Sequence, residues 1–226
     1  MNFLLLISLA LLALAPSFIS LFLILYKIEI TKTKRILLIK LLMASILSFV
    51  IAALLPGVGA WFFKLITKNS PGIVAMSFFM GPTEEGSNLL VVLWLVWRSR
   101  EFKNFYDAII YSSVVAIGFA TLENILCIKE GLTTILQRFI ISSPAHLAFG
   151  VMMGYFIGKA RFSKTSAEAR IYLLKGLLLL SLLHALFDVL VFNTFTLRIM
   201  GILMVPFFIA ATFKIIQKGR KLLQER

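Results

Sequence analysis

The chain has 226 residues, of which 60% are hydrophobic and 15% charged, and its mean hydropathy is +0.98. A soluble domain carries about 25% charged residues, so this composition excludes a water-soluble enzyme, a disordered tail and a disulfide scaffold; it predicts an all-α, polytopic transmembrane helical bundle. The formal charge of +13, from 23 Lys and Arg against 10 Asp and Glu, would suggest nucleic acid in a soluble protein, but here it reads as basic loops on an anionic leaflet, with no nucleic-acid partner.

At roughly 30 residues per span and loop, about seven spans fit. Apolar runs predict them over 3–26, 36–62, 73–97, 107–128, 139–158, 171–192 and 197–213. Residues 1–226 read as a single transmembrane domain. In the first span, Ala13-Leu14-Ala15 looks like a signal-peptide cleavage site. That span lacks a basic n-region and its positive charges follow it, so it reads as a retained anchor. The third is interrupted by Gly81 and Pro82, with two glutamates directly after, which predicts a kinked or broken span. Irregular backbone at that depth is tolerated only where protein or a water-filled cavity surrounds it. The single cysteine, Cys127, excludes an internal disulfide and Cys-rich zinc or iron–sulfur centres.

Eighteen of the 23 basic residues fall in the first, third and fifth loops and the C-terminal tail. Lys27, Lys32, Lys34, Arg35 and Lys40 populate the first; Arg98, Arg100 and Lys103 the third. Lys164 and Arg170 lie in the fifth, and Lys214, Lys218 and Arg226 in the tail. The alternate loops hold only Lys64, Lys68, Lys129, Arg138 and Arg198. By the positive-inside rule the N-terminus lies outside and the C-terminus in the cytoplasm.

Six acidic residues lie in loops, tails or span ends: Glu29, Glu101, Asp107, Glu130, Glu168 and Glu225. The other four, Glu84, Glu85, Glu123 and Asp188, fall inside predicted spans, as do both histidines, His146 and His184. A mid-membrane Asp costs roughly 2.5–3.5 kcal/mol on insertion scales, so function is the default explanation. With the topology above, Glu84 lies ~17 Å below the outer end of its span, Glu123 ~8 Å, His146 ~10 Å, His184 ~12 Å and Asp188 ~6 Å. Residues of four helices can therefore meet in one cavity in the outer half of the bilayer. His184 and Asp188 share a helix face at i,i+4, whereas the adjacent Glu84 and Glu85 point about 100° apart. One of that pair faces the centre and the other takes a structural bond or shares a proton. Gly150, Gly154 and Gly158 form a small-residue ridge suited to close helix packing.

Two chemistries fit this set. A glutamate can take a proton from water while a histidine stabilises the developing oxyanion. Alternatively His146, His184 and one carboxylate, Glu123, bind a divalent metal such as zinc, with Glu84 as base. No Ser–His or Cys–His arrangement competes, although Ser87 and Ser181 lie nearby. The rival functions are a proton- or cation-coupled transporter, which would be expected to carry inverted repeats that are not seen, and a non-catalytic membrane scaffold.

Four stretches carry a family resemblance: Glu84-Glu85, Phe119-Ala-Thr-Leu-Glu123-Asn124, His146-Leu-Ala-Phe-Gly150 and His184-Ala-Leu-Phe-Asp188. Together, over about residues 73–192, they resemble the motifs of PrsW-type intramembrane proteases, which are related to the CAAX-prenyl-protease and bacteriocin-processing superfamily. The resemblance implies a polytopic endopeptidase of the metalloprotease or glutamate type. It implies active residues at Glu84, Glu85, Glu123, His146 and His184, with Asp188 in a place often taken by Asn or Asp. It further implies a membrane-anchored protein substrate, such as an anti-sigma-like regulator cut at its first site near the outer face. The family's glutamate pair is usually followed by Lys three residues on, or in the wider superfamily by Arg four on; here Asn88 and Leu89 stand there.

Overall fold

The computed structural model describes residues 3–26, 28 and 30–224. Lys27, Glu29, Glu225 and Arg226, which enter the charge argument, lie outside the described residues. Eight α-helices and no strand occur among the described residues: α1 Phe3–Leu25, α2 Lys32–Thr67, α3 Ile73–Val96, α4 Phe105–Leu126, α5 Leu132–Gln137, α6 Ser143–Arg161, α7 Ser166–Val191 and α8 Phe195–Gln224. The seven long ones coincide with the seven predicted spans. Six stretches of helix are long and apolar enough to cross a membrane. The exception is α3, whose polar run from Thr83 to Asn88 dilutes its hydropathy. The protein is an integral, multi-pass membrane protein. Large apolar side chains such as Leu54, Phe207 and Leu178 point outward on the bundle, as a surface facing hydrocarbon requires.

Two predicted boundaries are corrected. First, α3 is not broken: it runs unbroken from Ile73 through Gly81 and Pro82 to Val96. Pro82 has no N–H to offer the Phe78 carbonyl one turn back, and the Thr83 hydroxyl donates to the adjacent Phe79 and Met80 carbonyls at 2.9 Å each. Second, the helical rod containing His146 begins well before residue 139. Helix α5 passes through a π-helical turn, Arg138–Ser142, directly into α6. Arg138, assigned to a loop by its charge, therefore sits inside a helix.

Helix α4 forms the centre of the bundle, with most of its length buried. It packs most extensively on α6, while α3 packs on α7 and α2. The glycine ridge of α6 explains the first contact. A Cβ on Gly154 would come 2.5 Å from the Ile109 Cα of α4, and one on Gly150 would come 2.6 Å from the Ala116 Cβ. On α3, a Cβ on Gly81 would lie 2.6 Å from the Ser181 carbonyl oxygen and 2.9 Å from the Ala185 nitrogen of α7. Both helix pairs thus touch backbone to backbone, and small residues are what permits it.

The end of α4 at Phe105 is pinned by charge. The Asn104 side chain accepts from the Asp107 N–H while Asp107 Oδ2 accepts from the Asn104 N–H, a reciprocal cap. Asp107 Oδ1 also receives the Lys34 ammonium of α2 at 2.5 Å, so this buried acid is paired and hydrogen-bonded.

Candidate active site

The close crossing at Gly81 decides what the next turn of α3 meets. Glu84 and Glu85 follow on α3, His184 lies beside Ala185 on α7, and all three are buried. Glu85 Oε1 lies 2.9 Å from His184 Nδ1. With the proton on Nδ1, His184 donates to Glu85, and the lone pair on Nε2 is directed toward Glu84. Glu84 Oε2 stands 3.5 Å from that Nε2, yet it is buried with no hydrogen-bond partner. Asp188 Oδ1 is 3.9 Å from the same nitrogen. The two glutamates divide as their roughly 100° separation demands: Glu85 grips the back of the imidazole and Glu84 faces the front.

His146 enters from α6. Its ring lies edge-on to that of His184, with centroids 5.4 Å apart, and Phe149 stacks on His184 at 4.8 Å. His146 Nε2 is 2.8 Å from Glu123 Oε2 of α4. Donor atoms of Glu84, His146 and His184 lie within 4.8 Å of one another. A cavity of about 50 Å³ joins Glu84, Glu123, His146, His184 and Asp188. All six residues singled out from the sequence therefore gather at one place, contributed by four helices.

One member of the cluster was not anticipated. Arg138 lines the cavity, donates through NH2 to Glu123 Oε2 at 2.8 Å, and donates through Nε to Asn124 Oδ1 at 2.7 Å. Asn124 in turn donates to the Ala13 carbonyl of α1 and to Ser143 Oγ. The sequence held one usable signal: Arg138, Ser142 and His146 recur every four residues, so they share a helix face. Asn88 and Leu89 supply no basic partner after the glutamate pair; the arginine in the cavity comes instead from the π-helical turn ahead of α6, and it pairs with Glu123. Asn88 instead accepts from Ser48 Oγ of α2 at 2.7 Å. Ser87 belongs to the same α2–α3 contact, 2.9 Å from Ser48 Oγ.

Imidazoles and carboxylates enclosed by apolar helices mark a functional site, whether for water activation or for proton transfer. Comparison with known proteins makes the class specific. Residues 32–211 match the family described as "PrsW family intramembrane metalloprotease". The chain is 34% identical over 188 residues to Protease PrsW of Clostridioides difficile strain 630, covering 80% of this chain and 78% of that one. It is 30% identical over 221 residues to Protease PrsW of Shouchella clausii strain KSM-K16, covering 95% and 98%. A third Protease PrsW, from Geobacillus kaustophilus strain HTA426, is 40% identical over 106 residues, 46% of each chain. No solved structure gives a significant match. The chain belongs to the PrsW family and is a membrane-embedded peptidase.

Proposed function

We propose that the chain hydrolyses a peptide bond of a membrane-anchored protein by activating water in the cavity between α3, α4, α6 and α7. The observation that carries this reading is Glu84 Oε2, a buried carboxylate oxygen with no hydrogen-bond partner that faces two imidazoles. Such an orphan is costly, and in native proteins it points to chemistry or to an ion.

The donor set fits a divalent cation such as zinc. Glu84, His146 and His184 would hold it, and the Glu85 bond to His184 Nδ1 is the outer-shell contact that orients a metal-binding imidazole. When bound, such a metal makes water a better nucleophile at neutral pH and polarises the scissile carbonyl. Geometry favours exchanging two roles expected from the sequence. Glu84 joins the histidines as the carboxylate ligand in place of Glu123, and Glu123 becomes the base. Arg138 fixes Glu123 at the cavity wall. There Glu123 takes a proton from water as the water oxygen bonds to the carbonyl carbon. It returns that proton to the departing amine nitrogen as the C–N bond breaks. A metal-free variant is supported by the same open oxygen: Glu84 Oε2 would then take the proton itself, with the histidines stabilising the oxyanion.

At about 50 Å³ the cavity has room for water but not for a peptide, so a substrate segment reaches it only when the surrounding helices part. The family resemblance and the charge asymmetry support a single-span regulator of the anti-sigma type, cut near the outer face.

Metal analysis beside cleavage of a candidate single-span substrate tests the assignment. Glu84→Gln, His146→Ala and His184→Ala are expected to lose metal and cleavage while still accumulating in the membrane. Glu123→Gln should keep about one equivalent of metal and lose about 10²–10⁴-fold in rate. Wild-type cleavage with well under one equivalent of metal would select the metal-free variant. Retained turnover in both Glu84→Gln and His184→Ala would sink the site.

A further inference from the structure

Helices α3 and α7 run antiparallel and pack on each other extensively. At Gly81 their backbones meet, whereas at the far end a cleft of about 880 Å³ opens between the last turn of α3 and the first turns of α7. Within a membrane such a cleft is filled by lipid, because apolar walls left empty forfeit their contacts. Its walls are Leu93 and Leu173, suited to an acyl chain, and its rim carries Arg98, Arg170 and the indoles of Trp94 and Trp97. Trp94 is 71% exposed, as an interfacial anchor would be.

The rim is cationic and unneutralised. No carboxylate lines the cleft, and among the described residues no ion pair joins Arg98 or Arg170 to an acid. Glu168, two positions before Arg170 and so on the opposite side of α7, is occupied by the Lys164 backbone N–H. Glu101, in a neighbouring cleft that Arg98 also lines, accepts from Thr33 and lies 3.8 Å from Lys103 Nζ. The charge asymmetry puts this end at the leaflet rich in anionic lipid.

We infer that the cleft between α3 and α7 is a binding site for an anionic phospholipid, its phosphate held by Arg98 and Arg170 and an acyl chain seated between Leu93 and Leu173. The site lies outside the catalytic cavity. Arg170 on α7 and Arg98 just past the end of α3 are each fourteen positions from a catalytic candidate, His184 and Glu84 respectively, about 20 Å away. The lipid thus wedges apart the far ends of the same two helices whose near ends hold Glu84, Glu85 and His184 together, and its occupancy bears on how readily they part for substrate.

Tryptophan fluorescence reads the site without reference to cleavage, because two of the three tryptophans flank it. In a Trp61→Phe background of the full chain, reconstituted in phosphatidylcholine vesicles, brominated phosphatidylglycerol should quench Trp94 and Trp97 at lower mole fraction than brominated phosphatidylcholine does. Arg98→Gln or Arg170→Gln should weaken the preference about fivefold and the double variant about thirtyfold, on the usual contribution of a basic residue near an anionic surface. The conservative Arg98→Lys/Arg170→Lys variant should keep most of it, which separates lost charge from misfolding. Equal quenching by the two lipids, or an undiminished preference in a well-folded double glutamine variant, would overturn the inference. Displacement of the lipid by inorganic phosphate at millimolar concentration would also overturn it, by assigning the arginines to a soluble anion.

Discussion

Substituting Gly81 by alanine tests whether the α3–α7 crossing builds the site. The added Cβ would meet the Ser181 carbonyl oxygen at 2.6 Å and the Ala185 nitrogen at 2.9 Å. Both are backbone atoms, so no flexible side chain can yield. Ordinary contact begins near 3.4 Å, so the helices must separate by about 0.8 Å. One turn on, Glu85 Oε1 to His184 Nδ1 is 2.9 Å; the same shift takes it to about 3.7 Å, beyond hydrogen-bond range. Overpacking of this kind costs about 1–3 kcal/mol. A displacement near 1 Å of a catalytic group can cost on the order of 10²-fold in rate. The expected outcome is Gly81→Ala protein that inserts and accumulates, melts modestly lower in detergent, and cleaves a reporter substrate about a hundredfold more slowly. Gly86→Ala is the matched control. Its Cβ would meet only Leu177 Cδ1 at 3.9 Å, and its cleavage rate should stay within about twofold of wild type. Wild-type cleavage by Gly81→Ala would refute the claim that backbone contact at Gly81 sets the Glu85–His184 distance.

Other outcomes follow from the same geometry. In a Cys127→Ser background, single cysteines introduced in 30–35 and 163–168 should label from the cytoplasm and those in 66–70 from outside; external labelling of 30–35 would overturn the topology and its depth argument. Arg138→Met leaves Asn124 Oδ1 without its donor and strips Glu123 of its arginine, with only His146 still beside it, in a largely buried setting, so it should lower stability by about 3 kcal/mol. Adding Glu123→Gln should recover part of that loss in the double variant, and a strictly additive result would deny the coupling. A strong chelator should stop cleavage and added zinc restore it if Glu84, His146 and His184 bind metal; chelator-resistant turnover in metal-stripped protein would favour Glu84 as a metal-free base.

The number of spans was legible in the sequence because hydrocarbon imposes one rule on every segment: the backbone must satisfy itself, and the side chains must be apolar. Against that background an intramembrane acid or histidine is conspicuous, so Glu84, Glu85, Glu123, His146, His184 and Asp188 could be singled out without coordinates. Spacing along a helix even separated Glu84 from Glu85, since the angle between neighbours is a property of the helix alone. Contacts between helices are different. Which glutamate grips His184, and that Glu123 rather than the glutamate pair receives an arginine, depends on crossing points set where Gly81 of α3 meets α7 and where Gly150 and Gly154 of α6 meet α4. Arg138 was hidden for a related reason. A basic residue beside an apolar run has the same local pattern whether it faces water or turns inward, and the π-helical turn at Arg138–Ser142 that joins α5 to α6 left no mark in the hydropathy. The polar run that follows Gly81 and Pro82 puts Glu84 in the cavity wall, and the bonds of Glu85 and Asn88 run to α7 and α2. One-dimensional pattern determined which residues lie in the membrane, because burial in lipid is a property of each segment; tertiary structure decided their partners, because hydrogen bonds at this depth form only where two helices approach within a side chain's reach.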